Sequence, residues 1–321
     1  MTSRALITGG AGFIGSHVAD LFLDRGYEVE IIDDISTGRR ENVPERAKLY
    51  ELSVTSSEAA SVVRAGKFDV LVHLAAQIDV RRSVDDPLYD ATTNILGIIN
   101  ILEAVTASGR GTRVVFTSTG GAIYGDFSTP PNIETYRKEP DSPYAISKLA
   151  SEYYLAYYGR LHGLEHVSVR LGNVYGPRQD PRGEAGVVAI FCSRLLEGKA
   201  LTIFGNGEQT RDYVYVGDVA AAVWRSASFK PPPAGTVDAR SFNIGTGVGT
   251  SVIELARILQ QSARTSVDLV FAPKRPGELE HSFLNIDKAW NILGWKPEVS
   301  LAEGLARTFA WAEAEYSAQR S

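Results

Sequence analysis

An apolar run, Arg4-Ala5-Leu6-Ile7-Thr8, stops abruptly at Gly9-Gly10-Ala11-Gly12-Phe13-Ile14-Gly15. No other stretch so narrows the folds open to this chain. A short run without polar alternation suits a strand buried on both faces, which points to a parallel sheet. Glycines at Gly9-x-x-Gly12-x-x-Gly15 permit a tight turn and a close backbone approach. Residues 14–25 follow as an expected helix with Val18, Leu21 and Phe22 on one face. Strand, glycine turn and helix in this order form a cradle for a pyrophosphate at the helix N-terminus.

Residues 28–32 read as a second strand ending at Asp33, 18 positions after Gly15. An acid near that distance accepts hydrogen bonds from an adenosine ribose and repels a 2′-phosphate, so the site favours NAD over NADP. Arg39 and Arg40 follow; they are read as solvated surface charge in preference to a 2′-phosphate clamp. Further strands are expected at 49–52, 69–75, 114–119 and 167–171, with helix-length segments between them, including 89–107 and 143–162. This alternation predicts an α/β fold with a Rossmann-type doubly wound parallel sheet.

After Asn173 the pattern changes. A loop-rich stretch leads to short strands at 201–204, 213–216, 242–244 and 267–271, mixed with helices. Ser251-x-x-Glu254 before Leu255, Ile258 and Leu259 reads as a capping box. Lys230-Pro231-Pro232-Pro233 reads as a surface turn. The expected layout is a cofactor domain over 1–173 and a smaller mixed α/β substrate domain over 174–321, whose chain crosses back into the first.

Composition removes several function classes. A net charge of −5 and a pI near 5.7 argue against a general nucleic-acid binder. No apolar run approaches the ~18–20 residues of a membrane span, and no signal peptide is read at the N-terminus. The one cysteine, Cys192, excludes an intrachain disulfide framework and fits a reducing cytoplasm. Its apolar setting reads as a small buried hydrophobe. No metal site is expected: His162 and His166 are spaced i,i+4, but Gly163 between them ends the helix, and both read as helix-end surface.

The chemistry centres on Tyr144-Ala145-Ile146-Ser147-Lys148. Tyr-x-x-x-Lys sets both side chains on one helix face, a turn apart. An ammonium there stabilises a phenolate, so Tyr144 is expected to act as a base below its ordinary pKa of ~10. Joined to a nucleotide site, this implies hydride chemistry at a carbinol carbon.

These motifs resemble the extended short-chain dehydrogenase/reductase superfamily, and within it the NAD-dependent nucleotide-sugar epimerases and dehydratases. The resemblance spans the chain: Thr8–Gly15, His73-Leu74-Ala75-Ala76, Thr117-Ser118-Thr119, Tyr144-x-x-x-Lys148, Asn173-Val174-Tyr175-Gly176-Pro177 and Arg211-Asp212-Tyr213-Val214. Gln77–Ser83 and Thr119-Gly120-Gly121-Ala122-Ile123-Tyr124-Gly125 are typical of the bacterial branch acting at C4 of UDP-glucose and UDP-galactose.

The resemblance implies the following site. Tyr144 is the base and Lys148 holds the nicotinamide ribose. A hydroxyl at the end of the fifth strand, Thr119 first and Ser118 second, bonds the reacting sugar oxygen. Gly9, Gly12, Phe13, Ile14, Gly15, Asp33, Ser36, Thr37, Gly38, Leu74, Ala75, Ala76, Gln77, Asn94 and Thr117 line the cofactor. The family often has an aspartate at the end of the third strand against adenine; Ser53 stands here. Arg211, Arg275 and Asn173 hold a diphosphate, Phe204 lies against the base, and Glu278 binds the nucleotide ribose. Val80, Val188 and Tyr213 complete the substrate lining. Ser282 borders the hexose, where a small residue leaves room beside C2 for an N-acetyl group. A homodimer through 89–107 and 143–162 is expected. The rivals are a 4,6-dehydratase or decarboxylase, which need acids where Gly120-Gly121 stands, a cofactor-releasing ketoreductase, and a non-catalytic NAD-binding scaffold, against which Tyr144 and Lys148 argue.

Overall fold

The structure, a computed structural model, describes residues 2–182, 186–274 and 279–318. Six strands, β1 (Arg4–Thr8), β2 (Glu28–Asp33), β3 (Lys48–Glu51), β4 (Val70–His73), β5 (Arg113–Thr119) and β6 (His166–Leu171), join the strand Ser241–Ile244 in one parallel sheet. Its order is Ser241–Ile244, β6, β5, β4, β1, β2, β3. The chain builds outward from β1 in one direction through β3 and in the other through β4. The switch point therefore lies between β1 and β4, where a crevice opens at the carboxyl ends of the strands.

Strand alternation divides the core. Ala5, Ile7, Val70, Val72 and Val115 face helices Phe13–Asp24 and Val216–Ser228. Leu6, Leu71, Val114 and Phe116 face helices Ser57–Ala65, Gly97–Ser108 and Pro143–His162. Both faces are covered, which explains the continuous apolar runs. A third cluster, with Phe191, Leu201, Leu255, Leu259 and Leu305, makes a separate core after residue 174. The helix Val216–Ser228 and the edge strand Ser241–Ile244 return from that part to the main sheet.

The helix Pro143–His162 begins and ends where local chemistry dictates. Ser142 Oγ accepts from the Ala145 amide at 3.2 Å, Pro143 occupies the first turn, and Gly163 closes the helix at φ 68°. Ser251 likewise caps the helix Val252–Ser262, accepting from the Glu254 amide at 3.1 Å. Cys192 is buried in helix Val187–Leu196, and burial pushes its thiol up to about 12.

Four expectations are corrected. The segment 89–107 is not one helix: Pro87–Ala91 passes through a π turn, Thr92–Leu96, into Gly97–Ser108. The strand expected over 213–216 stops at Tyr215, because Val216 already opens a helix. Pro231 is buried, although Pro232 and Pro233 are exposed as a surface turn requires. His166 is not at the surface: it is buried in β6 beside Arg240, whose charge joins burial in holding the imidazole down at about 4. Among the described residues, no helix is long and apolar enough to cross a membrane.

Candidate active site

The crevice is lined first by the glycine turn. Gly9 adopts φ +73°, and a Cβ there would stand 2.6 Å from the Ala75 amide nitrogen. Glycine alone satisfies both demands. Gly12 caps the helix Phe13–Asp24 without a side-chain acceptor, so the first-turn amides over Phe13, Ile14 and Gly15 stay open to an anion. Asp33, at the end of β2, folds back on this turn: Oδ2 accepts from the Ala11 amide and Oδ1 from the Ile35 amide, both at 2.9 Å. Burial raises its carboxyl above the usual range, while these two amides act against that rise. Each oxygen keeps a lone pair for a ribose hydroxyl.

Ser36, Thr37 and Gly38 form the loop after β2, with Gly38 against Asp33. Both nearby arginines are engaged elsewhere. Arg39 donates to Asp180 Oδ2 at 3.0 Å, and Arg40 pairs with Glu51. This neutralises the cations that a 2′-phosphate would need. Arg39 is thus part of a contact with the 177–182 loop, beyond the free surface charge expected of it. His17 and Arg178 add to that contact through Pro177 O at 2.9 Å and Asp20 at 2.7 Å.

Leu74, Ala75, Ala76 and Gln77 leave β4 directly beside Gly9. The Asn94 amide clasps the Gln77 backbone, accepting from its N–H at 2.8 Å and donating to its carbonyl at 2.9 Å. The π turn carries Asn94 into this position, a frequent use of such turns.

Tyr144 and Lys148 lie on the helix that packs against β5. Lys148 is 4% exposed; its Nζ donates to Thr117 O at 3.0 Å and sits 4.9 Å above the Phe116 ring. Burial lowers the ammonium pKa to about 8, against the opposing charges of Asp90 and Glu152. The Tyr144 phenol is raised above its ordinary value, chiefly by burial and then by Asp90. The expected lowering by Lys148 is therefore not produced by the protein's own groups. Lys148 donates one of its three N–H groups to Thr117, and a phenolate here requires more positive charge than the packed side chains supply.

Ser118 and Thr119 differ in setting. Val114 and Phe116 face the Tyr–Lys helix, and Ser118 continues that alternation. Its Oγ is buried without a hydrogen-bond partner, whereas Thr119 is half-buried at the strand end. Among the described residues Thr119 Oγ1 makes no hydrogen bond either, so both hydroxyls, the first and second choices from sequence, are open to one, Ser118 from the buried side and Thr119 from the half-buried strand end.

Several substrate candidates converge on the same rim. Ser282 is 4% exposed, and its Oγ donates to Gly121 O at 3.3 Å. It stands in register with Arg211 on the neighbouring strand. A Cβ on Gly121 would lie 3.5 Å from Asn173 Oδ1. Asp212, unremarked as a site residue from sequence, fastens this rim: it accepts from Thr246, Gly247 and Leu284 amides and gives its carbonyl to the Asn173 amide at 2.7 Å. Phe204 is half-buried at the end of Leu201–Phe204, and Val80 is 39% exposed at the start of Val80–Asp85. Val188 and Tyr213 are buried in the third core cluster. Arg275 and Glu278 lie outside the described residues. Among the described residues, no cluster of three His, Cys, Asp or Glu side chains is arranged for a metal ion.

A parallel sheet with a glycine-turn cradle, and a Tyr–Lys pair on the helix after its fifth strand, define the extended short-chain dehydrogenase/reductase class. Residues 6–308 match the model of the GDP-mannose 4,6 dehydratase family, and the chain belongs to that family. It is 42% identical over 306 residues to a putative UDP-glucose 4-epimerase of Methanocaldococcus jannaschii, covering 95% of this chain and 97% of that one. It is 43% identical over 310 residues to the UDP-glucose 4-epimerase of Mycolicibacterium smegmatis, with the same coverage of 95% and 97%. The fold is similar to a Thermotoga maritima UDP-glucose 4-epimerase solved with UDP-glucose, at TM-score 0.92, 42% identity and coverage of 98% and 99%. It is also similar to the Thermus thermophilus UDP-glucose 4-epimerase solved with NAD, at TM-score 0.89, 43% identity and coverage of 96% and 98%.

Proposed function

We propose that the protein is an NAD-dependent epimerase that inverts C4 of a UDP-hexose, interconverting UDP-galactose and UDP-glucose through a transient 4-keto sugar. The observation carrying this reading is the Tyr144–Lys148 pair together with an acid-free Gly120-Gly121 turn after the fifth strand, in a chain 42–43% identical over nearly its whole length to UDP-glucose 4-epimerases. The cradle over Gly9–Gly15 and the Asp33 carboxylate fit a dinucleotide, and NAD held there would supply the reversible hydride acceptor that inversion at C4 needs. Tyr144 takes the 4-hydroxyl proton and gives it back after the keto sugar turns. Lys148 holds the nicotinamide ribose and lends positive charge. A hydroxyl from Ser118 or Thr119 steadies the 4-oxygen. Arg211, Asn173 and Arg275 bind the diphosphate.

The elimination chemistry of a dehydratase lacks its acid–base pair, because neither Gly120 nor Gly121 carries a side chain.

Residues 1–173 form the cofactor half in this reading, and 174–321 the substrate half, apart from the helix and strand that return to the sheet. A cytoplasmic homodimer completes the proposal. Leu88, Leu96, Tyr153, Tyr157 and Leu161 are exposed on elements that pack together, an apolar surface suited to a second copy.

The deciding experiment incubates purified protein with UDP-galactose and no added NAD, and follows UDP-glucose by chromatography. Formation of UDP-glucose, with NAD released on denaturation, supports the reading. No turnover of any sugar nucleotide returns the protein to a non-catalytic NAD-binding role, and a strict need for added NADP overturns the part assigned to Asp33.

A further inference from the structure

Asp90 lies on the short helix Pro87–Ala91, is wholly buried, and makes no ion pair among the described residues. Its Oδ1 accepts from Gln77 Nε2 and Asn94 Nδ2, each at 3.0 Å, and its Oδ2 accepts from Ser147 Oγ at 2.5 Å. Two amide N–H groups and a hydroxyl meet its oxygens, which leaves the side chain fully engaged without a cation. The three come from different places: the loop after β4, the π turn, and the helix bearing Tyr144 and Lys148. Ser147 is the residue immediately before Lys148.

The other groups facing Lys148 carry no free negative charge. Glu152, one turn further along the same helix, is gripped by Arg170 Nε at 3.0 Å and Nη2 at 2.7 Å. His73, behind on β4, is fully buried and held neutral, its pKa down at about 3. Phe116 offers only a ring face, and Tyr144 is a phenol. A buried ammonium without a direct ion pair is costly, and Asp90 is the carboxylate on this side whose charge no cation cancels.

We propose that Asp90 is a positioning residue for the Tyr144–Lys148 pair: it ties their helix to the β4 loop and supplies the buried negative charge that keeps Lys148 an ammonium. The catalytic half of this inference rests on the epimerase reading. The charge half does not, because it concerns Lys148 alone.

Asp90→Asn keeps the shape and removes the charge, with the Ser147 hydroxyl free to turn and accept. The Asp90 charge raises both Lys148 and Tyr144, so its loss lowers both. Lys148 then loses its proton at lower pH, which moves the alkaline limb of the kcat profile acidward. Tyr144 becomes a base at lower pH, which moves the acid limb the same way. The whole bell should shift acidward by about one pH unit, with kcat at its optimum reduced roughly tenfold. NMR of the protein with 13Cε-labelled lysine reads the Lys148 titration directly, and that titration should fall by a similar amount. Ser147→Ala keeps the charge and cuts the tether: its limbs should stay in place while kcat drops severalfold at unchanged KM. A Lys148 titration in Asp90→Asn equal to wild type overturns the charge assignment. Wild-type kcat in Ser147→Ala overturns the tether, and this variant decides that point even where Asp90→Asn fails to fold. A wild type that turns over no sugar nucleotide sinks the epimerase reading, while the NMR titration still decides the charge.

Discussion

Adding one methyl group, Gly15→Ala, should separate cofactor binding from folding. A Cβ at Gly15 would stand 2.0 Å from the Gly9 carbonyl oxygen, 2.8 Å from the Gly9 carbonyl carbon and 2.9 Å from Gly10 Cα. Ordinary contact begins at 3.4 Å, so the oxygen is too close by 1.4 Å (3.4 less 2.0). All three atoms are backbone and cannot turn aside as a side chain can. The helix or the glycine turn must move by more than an ångström. Forced overpacking of this kind costs about 1–3 kcal/mol, partly offset by the roughly 1 kcal/mol by which alanine exceeds glycine in a helix. Stability should therefore fall only modestly. The cofactor should suffer more, because the displaced turn carries the amides that meet the pyrophosphate. Losing one or two charge-assisted hydrogen bonds, at about 1.5–3 kcal/mol each, weakens binding by about ten- to ten-thousandfold. Gly26→Ala is the control. Gly26 has φ +84° and nothing within 4 Å of its missing Cβ, so alanine there meets conformational strain alone, about 1–2 kcal/mol. Both variants should melt earlier; only Gly15→Ala should be purified without NAD and show weakened NAD binding by calorimetry. Wild-type NAD content and affinity in Gly15→Ala would refute the assignment of this turn as the pyrophosphate cradle.

Tyr144→Phe should lower kcat at least ~10²-fold with the fold intact by circular dichroism, since the general base is gone; near wild-type turnover rules out the base role. Ser118→Ala and Thr119→Ala should differ: the orphaned Ser118 hydroxyl predicts the larger loss of kcat in the first, and the reverse order by steady-state kinetics gives the role to Thr119. Arg211→Ala should weaken UDP binding about ten- to hundredfold while sparing NAD, measured by calorimetry; unchanged UDP affinity places the diphosphate elsewhere. Ser282→Tyr should abolish any turnover of UDP-N-acetylhexosamines and preserve UDP-galactose, because a ring larger than the serine it replaces must push into the rim at Gly121. An unchanged ratio of the two activities, or a wild type that never accepts the N-acetylated sugars, removes Ser282 from the pocket.

Much of this protein is decided within a few residues of itself. The glycine turn, the strands around it and both ends of the Tyr–Lys helix follow from φ restrictions, capping hydroxyls and apolar period, all of which act between near neighbours in sequence. Those features were open to reading from the chain alone, together with the Tyr144–Lys148 spacing. The rest depends on what burial brings together. Ser241–Ile244 joins a sheet that begins 237 residues earlier, at Arg4, and nothing in its four residues marks the sheet as its destination (241 less 4). The β5 hydroxyl order turns on which face of the strand meets the helix. Ser282 meets Gly121 across 161 positions, and Asp90 meets Ser147 across 57. The raised Tyr144 phenol and the lowered Lys148 ammonium follow from desolvation, a quantity that exists only once the chain has packed. Sequence named the two residues of the pair through local spacing; only the tertiary structure decided their charge states, because those depend on removing water and on a carboxylate delivered from another helix.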